Sequence, residues 1–374
     1  MKSRSIVIGL ALAVLISVTG CIPAKSGARC RSTDWGDGGS HVLRCVNGRW
    51  RPVMTRQQAI DAVIAIANAS KKPAPGQVVV PQSLGAANLP NTADPSVFVE
   101  GGLTYVYATS TFRAVPVVVL DDVNATLSSS QMFNRAVDAM PTKPAWASTT
   151  EIWAPTVNKV GGRYVMFFAA HRSGAPDPNS DQCVGRAIAS SPRGPFEPDP
   201  APMNCGNNGV SGALDPSLYV DPSGNPSLLV AMGGSATNIW SIPLNANADA
   251  TGPAVALLTR SQPWQDWFLE NPAMIYDGSV YLLAYSAGRW DSGSYMTGIA
   301  RCSSPAGPCT DRAEGPWLAS IADRAGPGGL EFFVGPDGAA RVAFHTYPAN
   351  DIAPIGKRAT HIQRFFTDPW PRLG

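Results

Sequence analysis

The chain has 374 residues, of which 44% are hydrophobic and only 15% charged, with a net charge of +2. That is enough apolar material for one large core plus appendages, without the concentrated basic charge of a nucleic-acid binder. Its 36 glycines and 34 prolines exclude a mainly helical chain and suit one built of strands and turns.

Residues 1–20 read as a targeting segment. Lys2 and Arg4 form a basic start, and Ile6 to Val18 is an apolar run, shorter than the ~20 residues a membrane-spanning helix needs. Val18-Thr19-Gly20-Cys21 follows and resembles a bacterial lipobox, in which small residues precede a cysteine that is lipidated and becomes the mature N-terminus. The expectation is an exported protein anchored to the outer face of the cell membrane through Cys21. The alternative is an ordinary secretory signal that ends at a cysteine.

Removing Cys21 leaves six cysteines, an even number that suits an exported chain. They fall in sequence-local pairs: Cys30 with Cys45, Cys183 with Cys205, and Cys302 with Cys309. Each pair would staple one loop or hairpin, and no Cys-x-x-Cys spacing points to a metal instead.

Residues 21–54 make a small Gly-rich module closed by Cys30 and Cys45, a spacer above the membrane. Residues 55–77 read as a helix and linker. Thr55 and Gln58 have the spacing of a capping box, and Ile60, Val63, Ile64 and Ala67 form an apolar stripe at helical spacing. Lys71-Lys72-Pro73-Ala74-Pro75-Gly76 ends it.

Residues 78–374 read as strands and turns. One sentence recurs there: an X-Pro pair, an apolar run, a Gly-rich turn, a second apolar run. Asp94-Pro95 leads through Gly101-Gly102, Ala154-Pro155 through Gly161-Gly162, Asp215-Pro216 through Ser223-Gly224, and Asn271-Pro272 through Asp277-Gly278. These prolines lie 60, 61 and 56 residues apart, and a weaker fifth copy starts at Gly329. Strand-turn-strand units at this period predict an all-β chain, a five-bladed β-propeller. Equivalent positions of successive blades line one central cavity, so Asp94, Asp215 and Glu270 are expected to converge. Taken singly, an aspartate before a proline is also a common turn starter.

Four motifs in order carry a family resemblance: Ala93-Asp94-Pro95-Ser96-Val97, Trp153-Ala154-Pro155-Thr156, Leu214-Asp215-Pro216-Ser217, and Leu269-Glu270-Asn271-Pro272. Together they resemble the glycoside hydrolase family 43 type of propeller, which includes arabinanases, arabinofuranosidases and β-xylosidases. The resemblance implies that Asp94 is the general base, Glu270 the general acid, and Asp215 the residue that raises the acid's pKa and holds it in place. It implies inversion at the anomeric carbon of an arabinose- or xylose-containing glycan. Trp153, His171, Trp290 and His345 are the expected substrate-binding residues, the tryptophans as platforms for sugar rings, with core packing the alternative for each indole. Many members hold a central calcium ion with a final-blade histidine. Here Gly326-Pro327-Gly328-Gly329-Leu330 places a glycine at that point, so no metal ligand and no required cofactor are assigned; His345 in Phe344-His345-Thr346-Tyr347 matches a common final-blade pattern, and an altered calcium site in the central channel is the alternative. A monomer is expected, with polysaccharide and the membrane as its partners. Two rival readings are a propeller that binds glycan without cutting it, and a retaining enzyme of fructosides. The second usually opens on Asn-Asp-Pro, where this chain has Ala93 before Asp94.

Overall fold

A computed structural model describes residues 24–30, 35–55, 84, 86–174, 182–207, 210–233, 238–311, 315–352, 357–367 and 371–374. They fall into two compact units. The small one is an antiparallel sheet of three strands, Trp35–Asp37, His41–Val46 and Arg49–Thr55. A disulfide joins Cys30 to Cys45 in its middle strand, and Leu43 and Trp50 are buried. Thr55, the expected helix cap, is the last residue of the third strand. The rest of the expected helix, the leader and Cys21 lie outside the described residues.

The large unit is five antiparallel four-stranded sheets, each a meander of consecutive strands. Blade 1 holds Ser96–Glu100, Leu103–Tyr107, Pro116–Leu120 and Val137–Asp138; blade 2 holds Trp153–Val160, Arg163–His171, Gln182–Ala189 and Glu197–Pro198. Blade 3 holds Ala213–Val220, Pro226–Met232, Asn238–Pro243 and Val255–Thr259; blade 4 holds Phe268–Tyr276, Tyr281–Gly288, Met296–Cys302 and Cys309–Asp311. Blade 5 holds Arg324–Val334, Ala340–Pro348, Ala359–Phe366 and Arg372–Leu373. The first strand of each blade packs against the first strands of its two neighbours, closing a ring. The hairpins form as read: Gly161 and Gly162 both have positive φ, 55° and 81°, as a tight turn matched to strand twist requires. Cys183–Cys205 and Cys302–Cys309 are bonded, the latter across the outer strands of blade 4.

The second strands are apolar nearly throughout because both faces are buried. Alternate side chains point to opposite faces, so Val165 and Phe167 pack toward blade 3 while Met166 and Phe168 pack toward blade 1. The same division separates Leu228 and Val230 from Leu229 and Ala231, and Leu282 and Ala284 from Leu283 and Tyr285. Five hydrophobic clusters result, one in each gap between blades. Truncating one member, Phe167→Ala, should cost about 3–5 kcal/mol.

The ring closes where the chain ends meet. Leu89 pairs with Thr360 of blade 5, the Thr92 hydroxyl donates to the Thr360 hydroxyl at 2.8 Å, and the Ile362 amide donates to the Asn88 side chain at 2.8 Å. The helix described in the chain, Ser129–Arg135, lies between the third and fourth strands of blade 1. Ser128 and Gln131 cap it reciprocally.

Candidate active site

At one equivalent point of every blade, near the start of the inner strand, a residue lies in the left-handed backbone region: Asp94 (φ 49°), Ala154 (41°), Asp215 (51°), Asn271 (48°) and Gly329 (60°). The first four precede a proline. Such a conformation disfavours any residue with a Cβ, and its recurrence at one point of all five blades marks a built feature. The strand ladders slip at the same places, between Trp153 and Thr156, Leu214 and Ser217, and Glu270 and Ala273. Proline cannot supply a ladder N–H, so the X-Pro pair is bulged out of register there. The four X-Pro pairs and Gly329-Leu330 ring a narrow cavity of about 20 Å³. A wider one, about 320 Å³, continues toward the hairpin turns, and Ser96, Thr156, Ser217 and Glu331 line both.

This geometry corrects the alignment read from sequence. Asp94 and Asp215 are true counterparts, but the blade 4 counterpart is Asn271, and Glu270 stands one residue earlier. The three acids nevertheless interact directly. The Asn271 amide donates to Asp215 Oδ2 at 3.1 Å, and the Asp94 charge acts on both other acids.

Their surroundings divide them. Burial pushes the Asp94 carboxyl up, but the Arg358 charge and side-chain hydrogen bonds from Thr109 and Asn271 oppose it, and the group lies below its usual value. Arg358 Nη1 lies 3.3 Å from Oδ1 and the Thr109 hydroxyl donates to Oδ2 at 2.7 Å. Glu270 is 4% exposed. Burial, helped by the Asp94 charge, pushes it up to about 7 against an opposing hydrogen bond from Tyr295, whose hydroxyl donates to Oε1 at 2.8 Å. Asp215 is raised well above its usual value by burial, then by the charges of Glu270 and Asp94. The Asp94 charge raises Glu270, and the Glu270 charge raises Asp215. Asp215 and Glu270 lose their protons in coupled steps.

Of the four expected substrate-binding residues, His345 is misplaced. It is fully buried and sits behind Asp94, its Nδ1 accepting the Asp94 amide at 3.1 Å. Trp153 and His171 pack edge to face at 4.5 Å, both partly exposed. Trp290 lies under the Arg358 guanidinium at 5.5 Å, one contact from Asp94. Trp267 is half exposed, with the Arg289 guanidinium over its ring at 5.1 Å. Sequence reading missed Thr109, Tyr295 and Arg358. None lies in an X-Pro motif, and all three lie between the second and third strands of a blade.

Among the described residues, no three His, Cys, Asp or Glu side chains gather as metal ligands. Gly329 offers no side-chain donor, and the Nδ1 lone pair of His345 is spent on the Asp94 amide. These residues do not fit a protein-held calcium ion.

Known proteins share this fold. The family description "Glycosyl hydrolases family 43" matches residues 89–371. The chain is 28% identical over 196 residues to xylosidase/arabinosidase 43A of Humicola insolens, covering 45% of this chain and 56% of that one. It is 24% identical over 258 residues to extracellular endo-α-(1→5)-L-arabinanase 2 of Bacillus subtilis, covering 64% and 53%. It thus spans little more than half the length of these relatives. A thermostable family-43 glycoside hydrolase superposes with a TM-score of 0.64 at 24% identity, covering 77% of this chain and 93% of that one. The native Bacillus subtilis arabinanase does so with a TM-score of 0.60 at 22% identity, covering 77% and 99%. The superpositions carry the fold alone. The family match takes in every blade and all three acids, and by it this chain belongs to family 43 of the glycosyl hydrolases.

Proposed function

We propose that the protein is a glycosidase that hydrolyses arabinose- or xylose-containing glycans with inversion, exported and anchored by a lipid on Cys21. One observation carries the reaction. Two carboxyls of one site are displaced in opposite directions, Asp94 downward and Glu270 up to about 7. Glycoside hydrolysis needs such a pair, one protonated and one ionised, on opposite sides of the scissile bond. Glu270 gives its proton to the leaving oxygen as the glycosidic C–O bond breaks. Asp94 takes a proton from the water whose oxygen bonds to the anomeric carbon. Asp215, bonded to the amide next to Glu270, holds the acid in place. The sugar class is supported by the relatives' names, one a xylosidase/arabinosidase and one an arabinanase. Export is supported by three disulfides, which persist in oxidising compartments.

The test is reducing-sugar release by the full-length protein from arabinan, arabinogalactan, xylan, and aryl arabinofuranosides and xylosides, beside a Glu270→Gln variant. Cleavage lost in the variant supports the reading, and polarimetry of the fresh product reads the stereochemistry. Equal cleavage by both proteins overturns the assignment of Glu270. Binding without cleavage moves the protein to the glycan-binding reading. Cell fractionation of Cys21→Ala tests the anchor, which should pass from membrane to soluble fractions.

A further inference from the structure

Side chains of the preceding blade collect the N–H of the left-handed residue in four of the five blades. The Ala154 amide of blade 2 donates to Thr109 Oγ1, just past the second strand of blade 1, at 2.9 Å. The Gly329 amide of blade 5 donates to Ser286 Oγ, on the second strand of blade 4, at 2.9 Å. The Asp94 amide of blade 1 donates to His345 Nδ1, on the second strand of blade 5, at 3.1 Å. The acceptors are equivalent. Ser286 lies opposite Glu270 and His345 opposite Gly328, each the residue before the left-handed one. In blades 2 and 3 the same register brings Ala169 opposite Trp153 and Ala231 opposite Leu214. Alanine accepts nothing, and the Asn271 amide turns instead to the Asp215 carboxylate.

We propose that His345 is a positioning residue for the base Asp94, clasping its backbone N–H across the seam where the propeller closes, and that Gly329 is glycine to leave the imidazole room. This rests on the reading of Asp94 as base. The seam is where a clasp matters most, because blade 1's inner strand begins only at Ser96 and Asp94 lies ahead of its ladder. A hydroxyl serves in blades 1 and 4, whereas blade 5 uses the longer imidazole. A Cβ on Gly329 would stand 2.6 Å from His345 Nδ1 and 3.0 Å from Asp94 Oδ1, closer than atoms pack. An Nδ1 that accepts the amide must be unprotonated, which puts the ring proton on Nε2. That nitrogen has no partner among the described residues. Burial, the largest cause, lowers the imidazole to about 3, so the clasp is neutral across the working range.

Two measurements on the full-length chain decide it. The chain has only four histidines, so nitrogen-15 NMR with His345→Asn as the assignment control resolves the ring. The neutral Nε2–H form should persist from pH 5 to 8. An Nδ1–H tautomer or an imidazolium would remove the acceptor and end the proposal whatever the activity. The second measurement is kinetic, on an aryl arabinofuranoside or xyloside. His345→Leu should lower kcat roughly 10- to 100-fold, as misplacement by about 1 Å does, with KM nearly unchanged. His345→Asn, which carries an acceptor where Nδ1 stood, should restore most of it. Gly329→Ala should reproduce the leucine defect with the histidine still present. If His345→Leu keeps the wild-type kcat below its melting temperature, or fails no more than His345→Asn, the role is packing and the proposal falls. If Asp94→Asn also leaves turnover intact, the base assignment has failed, and the tautomer result still judges the clasp.

Discussion

Asp94 and Asp215 occupy the same point of blades 1 and 3, with φ of 49° and 51°, each followed by proline and serine. Burial raises both, yet one ends below its usual value and the other well above it. The repeat supplies one backbone five times, and the neighbours supply the chemistry. Asp94 faces a guanidinium and a hydroxyl donor. Asp215 has one backbone amide and two other carboxyls. Stabilising donors near a buried carboxyl favour its ionised form, and like charges favour its proton. A base and a proton-holding group can thus be made from the same residue on the same turn.

The comparison breaks most severely when the ionised member is removed. Asp94→Asn keeps the shape but cannot accept a proton from water, and should lower kcat about 10²- to 10⁴-fold, measured on the best substrate of the panel. A smaller change makes Asp94 resemble Asp215. Arg358→Met leaves burial unopposed by its strongest counterweight. The Asp94 carboxyl should rise, moving the acidic limb of the pH–rate profile upward. Arg358 also holds Glu270 down, so the alkaline limb, set near 7 by loss of the Glu270 proton, should move up as well. A profile that only shrinks, with both limbs in place, would show that the guanidinium does not set these charges. Thr109→Val removes one charge-assisted hydrogen bond from Asp94. It should shift the acidic limb the same way by less and lower kcat roughly ten-fold.

The repeat and the acids were legible because they are periodic. Prolines at blade spacing marked the inner strands, and apolar runs around Gly-rich turns marked the hairpins. The one-residue slip at Glu270 was not, because only backbone geometry separates the bulged Asn271 from the residue before it. Thr109, Tyr295 and Arg358 were invisible for a related reason. They reach the acids from outside the X-Pro motif, through contacts that no local spacing encodes. His345 was seen as a final-blade residue but given to the substrate, since sequence cannot tell a histidine in the cavity from one behind it. Ser128 and Gln131 have the spacing of a capping box and cap the helix Ser129–Arg135 reciprocally, a local signal that the sequence reading passed over.

The gentlest test lies farther down the same channel. Glu331 holds no catalytic role, yet burial pushes its carboxyl up to about 8 against one backbone hydrogen bond, from an ordinary value of 4.5. Below pH 4.5 the folded and unfolded chains both carry this proton, and the group leaves stability unchanged. Above it the unfolded chain loses the proton while the folded chain keeps it, so stability falls as pH rises, until the folded group titrates near 8. His345 and His361 act in the opposite sense. Burial lowers them to about 3 and about 4 from 6.5, and they cost stability only as pH falls below 6.5. Melting curves taken between pH 6.5 and 8 therefore isolate the acids. Glu331→Gln should melt above the wild type there, with a margin that widens toward pH 8 and narrows toward pH 5, and with kcat unchanged. A constant margin across that range would mean that Glu331 titrates normally, and that the raised carboxyls belong to the catalytic ring alone.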